Sequence, residues 1–393
     1  LDDAVNGNIF GKSGGGKMVK VLMCGSVASS GGVSTHTKNL IENLSVEENE
    51  ILLYNYYTNK AHSKNTNFEK VYRRTFGLFL EIISNRKKYE IIHDQTSGGI
   101  FSFVSSVTAS IASKIVDKKL IVTFHHSRTE EFVKKYKLFF NFVLKNVDTM
   151  ILVSNRQREF ISKTFPQYSD KLVVIPNGYD SAIFFPRNTD ECRSTLKVPM
   201  NKKVIFNISN LIDIKGHKYL IEAIGNIAKT RSDIYCIIAG KGYLSETLEQ
   251  QIKNSKLEDY VKLVGWIPDN EIPIYINASD FFVLPSLGEG NPIVMFEAIG
   301  CGKPFIGTKV GGIPEIIASE EYGLLCEPAS SAELEKTILL ALDKNWNSSR
   351  IKKYAETFTW KNIAKTTKSA YEQKLLKKNK TYSPGINYLA DLK

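Results

Sequence analysis

Two glutamates eight positions apart raise the question of chemistry. The stretch SLGEGNPIVMFEAIGCGKPFIGTKVGGIPEI, Ser286 to Ile316, holds Glu289 in a Gly-Asn-Pro turn and Glu297 inside an apolar run. Asn291 suits a helix cap, Pro292 the first helical position, and Gly300, Gly302 and Pro304 a helix stop. The spacing therefore predicts a short helix with Glu297 near its second turn. An ionised carboxylate among Met295, Phe296, Ala298 and Ile299 is costly unless something pairs with it. The partner is either a protein cation or the hydroxyls of a ligand.

Three further places carry groups suited to an anionic or polyhydroxylated ligand. In CGSVASSGGVSTHTKNLIENL, Gly31 and Gly32 open a helix and let backbone amides approach an anion, although a plain tight turn explains them equally well. TFHHS places His125 and His126 at a strand exit, where an imidazole serves as a ligand contact or as a satisfied core group. LIDIKGHKYLIEAI puts Lys215 just before Gly216 and a helix, a position suited to phosphate as well as to an ordinary surface lysine.

The elements that must position these groups alternate. KVLMCGSV, EILLYNYY, YEIIHDQT, KLIVTFHHS and DTMILVS read as one set of strands, and KVIFNIS, IYCIIAGKG, VKLVGWI, DFFVLPS and KPFIGTKV as a second. Helix-length segments separate them, which implies an α/β protein of two doubly wound parallel-sheet domains. VVIPNGYDSAIFFP reads as the linker, with the boundary near Pro186. The domains expected are 18–185 and 186–357, followed by a helix over 358–376 and a Lys-rich, loosely held tail over 377–393. Residues 1–17, Gly-rich and followed by Met18, read as a disordered non-native remnant.

Composition excludes several classes. With 42% hydrophobic and 24% charged residues, the 393-residue chain is of ordinary globular type. No apolar run approaches the roughly 18 residues of a membrane span. The five cysteines are far apart and form no C-x-x-C pair, which argues against a zinc site or disulfide framework and for a reducing, cytosolic setting. A net charge of +11 points to an anionic partner.

Taken in order, GGVSTHTKNL, TFHHS, VVIPNGYDSAIFFP, LIDIKGHKYLIEA, IIAGKGYLSETLE, VKLVGWIPDNEI, VLPSLGEGNPIVMFEAIGCGKPFIGTKVGGIPEII and YGLLCEP resemble the retaining glycosyltransferases of family 4, from Met18 to about Tyr371. The resemblance implies the GT-B architecture: two Rossmann-like domains facing across a cleft, with a last helix, here FTWKNIAKTTKSAYEQKL, returning to the first. It implies a nucleotide-sugar donor as co-substrate, UDP-linked or GDP-linked, no cofactor, no metal, and a hydroxyl acceptor such as a sugar, polyol or lipid-linked saccharide of the cell envelope. By the same resemblance Glu297 binds the ribose hydroxyls, and Glu289, with the backbone of Gly290, Asn291 and Pro292, binds the transferred sugar. Lys215 neutralises the diphosphate with help from the Gly31 and Gly32 amides, Trp266 and Ile267 lie beside the base, and His125 contacts the sugar. The family usually carries an arginine five residues before the lysine. Asn210 stands there in this chain, which shifts the charge onto Lys215, helix N-termini and Lys241 beside Gly240. No D-x-D occurs, in keeping with a metal-independent GT-B enzyme.

Rival readings are a UDP-sugar epimerase or phosphorylase on the same shell and, in another class, a basic nucleic-acid-binding module. No recognised nucleic-acid motif is present, and no nucleic-acid partner is expected. In RTEEFVKKYKLFFNFVLKN, the spacing predicts Phe132, Val133, Tyr136, Phe139, Phe140 and Val143 on a core face. Lys134, Leu138, Phe142 and Lys145 form a second stripe suited to an anionic membrane surface, which would make the protein cytoplasmic and peripheral at the inner face.

Overall fold

A computed structural model describes residues 18–27, 31–47, 49–57, 67–97 and 99–376. The expectations for residues 1–17 and 377–393 lie outside the described residues. The chain divides into two compact units, one running to Asn177 and resuming at Trp360, the other Gly178–Thr359.

The first unit is built on six strands: β1 (Lys20–Gly25), β2 (Glu50–Asn55), β3 (Ile91–Thr96), β4 (Lys119–Phe124), β5 (Thr149–Leu152) and β6 (Leu172–Val174). They lie parallel in the order β2-β1-β3-β4-β5-β6. The second unit repeats the plan with β7 (Lys203–Ile208), β8 (Ile234–Ala239), β9 (Val261–Gly265), β10 (Phe281–Leu284), β11 (Phe305–Thr308) and β12 (Gly323–Cys326), in the order β12-β11-β10-β7-β8-β9. Central strands such as β3 and β10 are buried throughout, as strands covered by helices on both faces must be. In each sheet the winding direction reverses once, between β1 and β3 and between β7 and β10. Ligands of such sheets bind beyond the carboxyl ends of the strands at that reversal.

Several expectations need correction. The edge strands β6 and β12 are additions to the expected set; β6, at three residues, is too short to show a period, and β12 opens on a glycine, a residue depleted in strands. The unit boundary falls at Gly178 rather than Pro186. The Tyr179 amide donates to the Phe358 carbonyl at 3.1 Å, and Tyr179 bridges Thr359, which ties the segment after Asn177 into the second unit. The Tyr179 ring packs so closely on Gly300 that a Cβ there would collide with it. The first unit resumes at Trp360, and the helix Trp360–Leu376 packs on the helix Gly32–Val46, with Lys368 Nζ donating to the Glu47 carbonyl at 2.7 Å.

The segment 129–146 is not one helix. It breaks at Tyr136, so Lys134 lies on Thr129–Lys135 and Leu138, Phe142 and Lys145 on Lys137–Asn146. With the phase lost at the break, Phe139 is 54% exposed rather than core-facing, while Phe132, Val133, Phe140 and Val143 are buried as expected. Among the described residues, no helix is long and apolar enough to cross a membrane.

Candidate active site

The loops leaving β7 and β10, neighbours at the reversal of the second sheet, bring Lys215 and Glu289 together. Lys215 ends a short 3-10 turn, Asp213–Lys215, ahead of the helix His217–Ile227. Between them Gly216 adopts φ +68°, and any Cβ there would strike the Pro285 carbonyl, so the turn requires glycine. The Leu287 amide donates to the Ile214 carbonyl at 2.7 Å and ties the two loops together. Lys215 Nζ lies 2.6 Å from Glu289 Oε1, which also accepts from Ser286 Oγ at 2.6 Å. Glu289 is only 7% exposed. From the next loop, the Gly312 amide donates to the Gly290 carbonyl at 2.8 Å, and Gly311, at φ +55°, lies where a Cβ would meet the Glu289 carbonyl.

Glu297 behaves differently. It lies in the helix Ile293–Gly300, is 8% exposed, and among the described residues its carboxylate has neither a hydrogen bond nor an ion pair. Burial, with the Asp269 carboxylate adding to it, pushes its pKa up to about 8. Of the two partners that its setting demanded, no protein cation is supplied. The helix begins one residue later than expected: Pro292, extended at ψ 126°, is the capping position rather than the first helical residue, and Asn291 is buried in the turn before it.

The remaining second-unit residues surround this core unequally. Gly240 follows β8, and its amide donates to the Gly265 carbonyl at 2.7 Å. Lys241 Nζ stands 5.7 Å from the centre of the Trp266 ring, which is 59% exposed, whereas Ile267 is buried. Asn210 is exposed, and its carbonyl accepts from the Ile212 amide at 2.9 Å. His217, not singled out in the sequence, is held at about pKa 4 by burial and meets Ser209 Oγ at 2.9 Å.

In the first unit, Gly31 caps the fifteen-residue helix Gly32–Val46, and both glycines are exposed. His125 follows β4, its Nε2 2.9 Å from Gln95 Oε1 and its ring 4.4 Å from that of His36. His126 is taken up by the turn: its Nδ1 accepts from the Arg128 amide at 2.9 Å and its ring stacks on Phe124. Behind His125 lie His93, Thr123 and Tyr371, and His36 Nδ1 meets Asn177 Oδ1 at 2.8 Å. Burial lowers the pKa of His36 to about 4, of His93 to about 3 and that of His125 well below its ordinary value, so all three rings are neutral at pH 7. Sequence reasoning missed His36, His93, Gln95 and Tyr371. A polar His-Asp-Gln-Thr run inside an otherwise apolar strand was the signal available.

Residues 30–182 match the family model described as Glycosyltransferase Family 4, and residues 188–358 match Glycosyl transferases group 1. The chain belongs to the group 1, family 4 glycosyltransferases. Within this family's reach, a relative in Saccharomyces cerevisiae, a subunit of phosphatidylinositol N-acetylglucosaminyltransferase, is 27% identical over 317 residues, 78% of this chain and 68% of the relative. Among solved structures, sucrose-phosphate synthase from Thermosynechococcus elongatus superposes with a TM-score of 0.77 at 20% identity, covering 91% of this chain and 99% of that one. HepE from Anabaena, solved with UDP-glucose, gives 0.71 at 21% identity, covering 90% and 100%. The glycosyltransferase fold is thus GT-B, two parallel six-stranded sheets each layered with helices.

Proposed function

We propose that this glycosyltransferase moves a sugar from a UDP-sugar to a hydroxyl acceptor with retention at the anomeric carbon. The observation that carries the reading is Glu297, a buried carboxylate without a protein partner on the helix Ile293–Gly300, which follows the loop that supplies Glu289 to the Lys215–Glu289 pair. Two vicinal ribose hydroxyls donating to Glu297 offset its desolvation through charge-assisted hydrogen bonds. The UDP-glucose bound by HepE, a structural neighbour, supports the choice of nucleotide.

Lys215 and Glu289 then exchange partners when the donor binds. The diphosphate takes the Lys215 ammonium, and the hydroxyls of the transferred sugar, with the Gly290 and Asn291 backbone, take the Glu289 carboxylate. The Gly31–Gly32 turn offers amides to an anion, and Trp266 offers a face to the base. No carboxylate is assigned as nucleophile, so the departing diphosphate takes the acceptor's proton as the new bond forms on the same face. Positioning and fixed charge lower the barrier. No step calls for a metal ion or cofactor.

The acceptor in this reading is membrane-borne. The phosphatidylinositol in the name of the yeast relative supports it, as do Leu138, 84% exposed, and the exposed Phe139 and Phe142 beside Lys145. The protein would bind peripherally to anionic lipid.

Thermal shift with UDP-, GDP- and ADP-sugars tests the donor, and the anomeric configuration of the product, read by NMR, tests retention. Stabilisation by GDP-sugars but not UDP-sugars would overturn the assignment of the nucleotide. Sustained turnover after chelation is expected, and a strict need for added magnesium or manganese would contradict the mechanism. Co-sedimentation with anionic vesicles should weaken with salt, and failure to bind at low salt would leave a soluble acceptor.

A further inference from the structure

We propose that Gln95 is a positioning residue: it fixes His125 in the tautomer protonated at Nε2, so that Nδ1 is offered to the transferred sugar as an acceptor of a hydroxyl hydrogen. The proposal rests on the reading of His125 as a sugar contact and goes beyond it to the polarity of that contact.

The polarity follows from the strand register. On β3, His93 and Gln95 are two residues apart and share a face; Met23 on β1 is the register partner of His93, and Thr123 on β4 that of Gln95. These four side chains form a polar stripe against which the helix Trp360–Leu376 brings Tyr371. Gln95 Oε1 lies 2.9 Å from His125 Nε2, and an amide oxygen has no hydrogen to give, so the imidazole must donate. Gln95 Nε2 lies 3.2 Å from His93 Nε2 and 3.6 Å from Met23 Sδ, and its two hydrogens serve these two acceptors. Turning the amide over would place its oxygen against the thioether, which has no hydrogen to offer, so Met23 holds the amide in place. The single lone pair of His93 Nε2 is shared in a three-centre bond between Thr123 Oγ1–H at 2.7 Å and the Gln95 amide at 3.2 Å, which leaves Nδ1–H to donate to the Tyr371 oxygen at 2.6 Å.

The chain ends at His125 with a single defined orientation. The ring is neutral, its Nε2 hydrogen is used, and Nδ1 has no partner among the described residues. An imidazole lone pair accepts a hydroxyl hydrogen and repels a carboxylate. The site thereby presents an acceptor, not a donor, to the transferred sugar.

The test is the long-range nitrogen–proton NMR spectrum of protein with labelled imidazoles at pH 7.5, with the His125 signals assigned from a His125→Asn variant. Nε2 of His125 should carry the hydrogen and Nδ1 should not, with the reverse at His93. In Gln95→Leu, His125 should become a mixture of tautomers, and kcat should fall about ten-fold while the affinity for free UDP is unchanged. A wild-type His125 protonated at Nδ1, or an unaltered His125 spectrum in a folded Gln95→Leu variant, would overturn the proposal. Should that variant not fold, the wild-type spectrum decides alone. Because the spectrum needs no substrate, failure of the tautomer is distinguishable from failure of the transferase reading, which shows as no turnover of any nucleotide sugar.

Discussion

The polar centres of the two units occupy equivalent places, at the winding reversals of two similar sheets, yet their buried groups differ in the partners they find. In the first unit, burial is met by neutrality: His36, His93 and His125 give up their charge and find Asn177, Tyr371, Thr123 and Gln95. In the second, the Glu297 carboxyl is buried with no protein partner and its pKa is pushed up to about 8, while Lys215 is paired with the buried Glu289. The first centre is joined by hydrogen bonds between its own side chains, whereas the Glu297 carboxylate has no protein partner among the described residues. An unpartnered buried carboxyl costs stability when it ionises, and such costs are tolerated where they serve binding or catalysis.

The difference can be broken at several points. The largest effect is expected for Lys215→Ala, which removes the cation assigned to the leaving diphosphate and leaves Glu289 buried and unpaired. Turnover of a UDP-sugar should fall by about a hundred-fold or more in steady-state kinetics, and unchanged turnover would move that role elsewhere.

Glu297→Gln should stabilise the unliganded protein while harming it as an enzyme. With a folded pKa of about 8 against an unfolded carboxyl of about 4.3, Glu297 binds its proton more tightly in the native state. Its contribution to stability is therefore present below pH 4.3 and is lost as pH rises through 8. At pH 8 the variant's Tm should exceed that of the wild type by about a few degrees, with the gap closing towards pH 5. A lower Tm at every pH would reveal an unrecognised partner for the carboxylate.

The histidines of the first unit carry the opposite sign. Folded values of about 4 for His36 and about 3 for His93 lie below the unfolded value, so their contribution is full above pH 6.5 and is lost as pH falls through 4. His217 in the second unit shares that sign. The urea midpoint should drop between pH 6.5 and 4, and a flat profile would contradict the neutral network. The smallest effect is expected at Trp266→Ala: an exposed ring under Lys241 should change UDP affinity by about three- to ten-fold without altering the fold, as calorimetry and circular dichroism would show.

The contrast also explains what could be read from the sequence. The second-unit site was legible because its residues are local: Ser286 to Ile316 carries Glu289, Glu297 and the bracing glycines in one stretch, and Lys215 sits in a loop with its own turn signal. The pairing of Lys215 with Glu289 was not legible, since it depends on β7 and β10 being neighbours although 74 residues separate the two side chains. The first-unit network was harder still. It joins His93 to Tyr371 across 278 residues and depends on strand register, while the sequence showed His125 and His126 side by side with nothing to tell them apart. The three-residue strand β6 and the break at Tyr136 escaped for a simpler reason, because periodicity over three residues, or across a phase shift, carries no signal.

Calorimetric titration of UDP into the wild type, Glu297→Ala and Glu289→Gln tests the central claim most directly. If Glu297 holds the ribose hydroxyls, Glu297→Ala should weaken UDP binding by about ten-fold or more. Glu289→Gln, which on this account leaves the ribose contact intact and releases Lys215 from its ion pair, should bind free UDP as tightly as the wild type or more tightly. An equal loss of UDP affinity in both variants, or no loss in Glu297→Ala, would contradict the account.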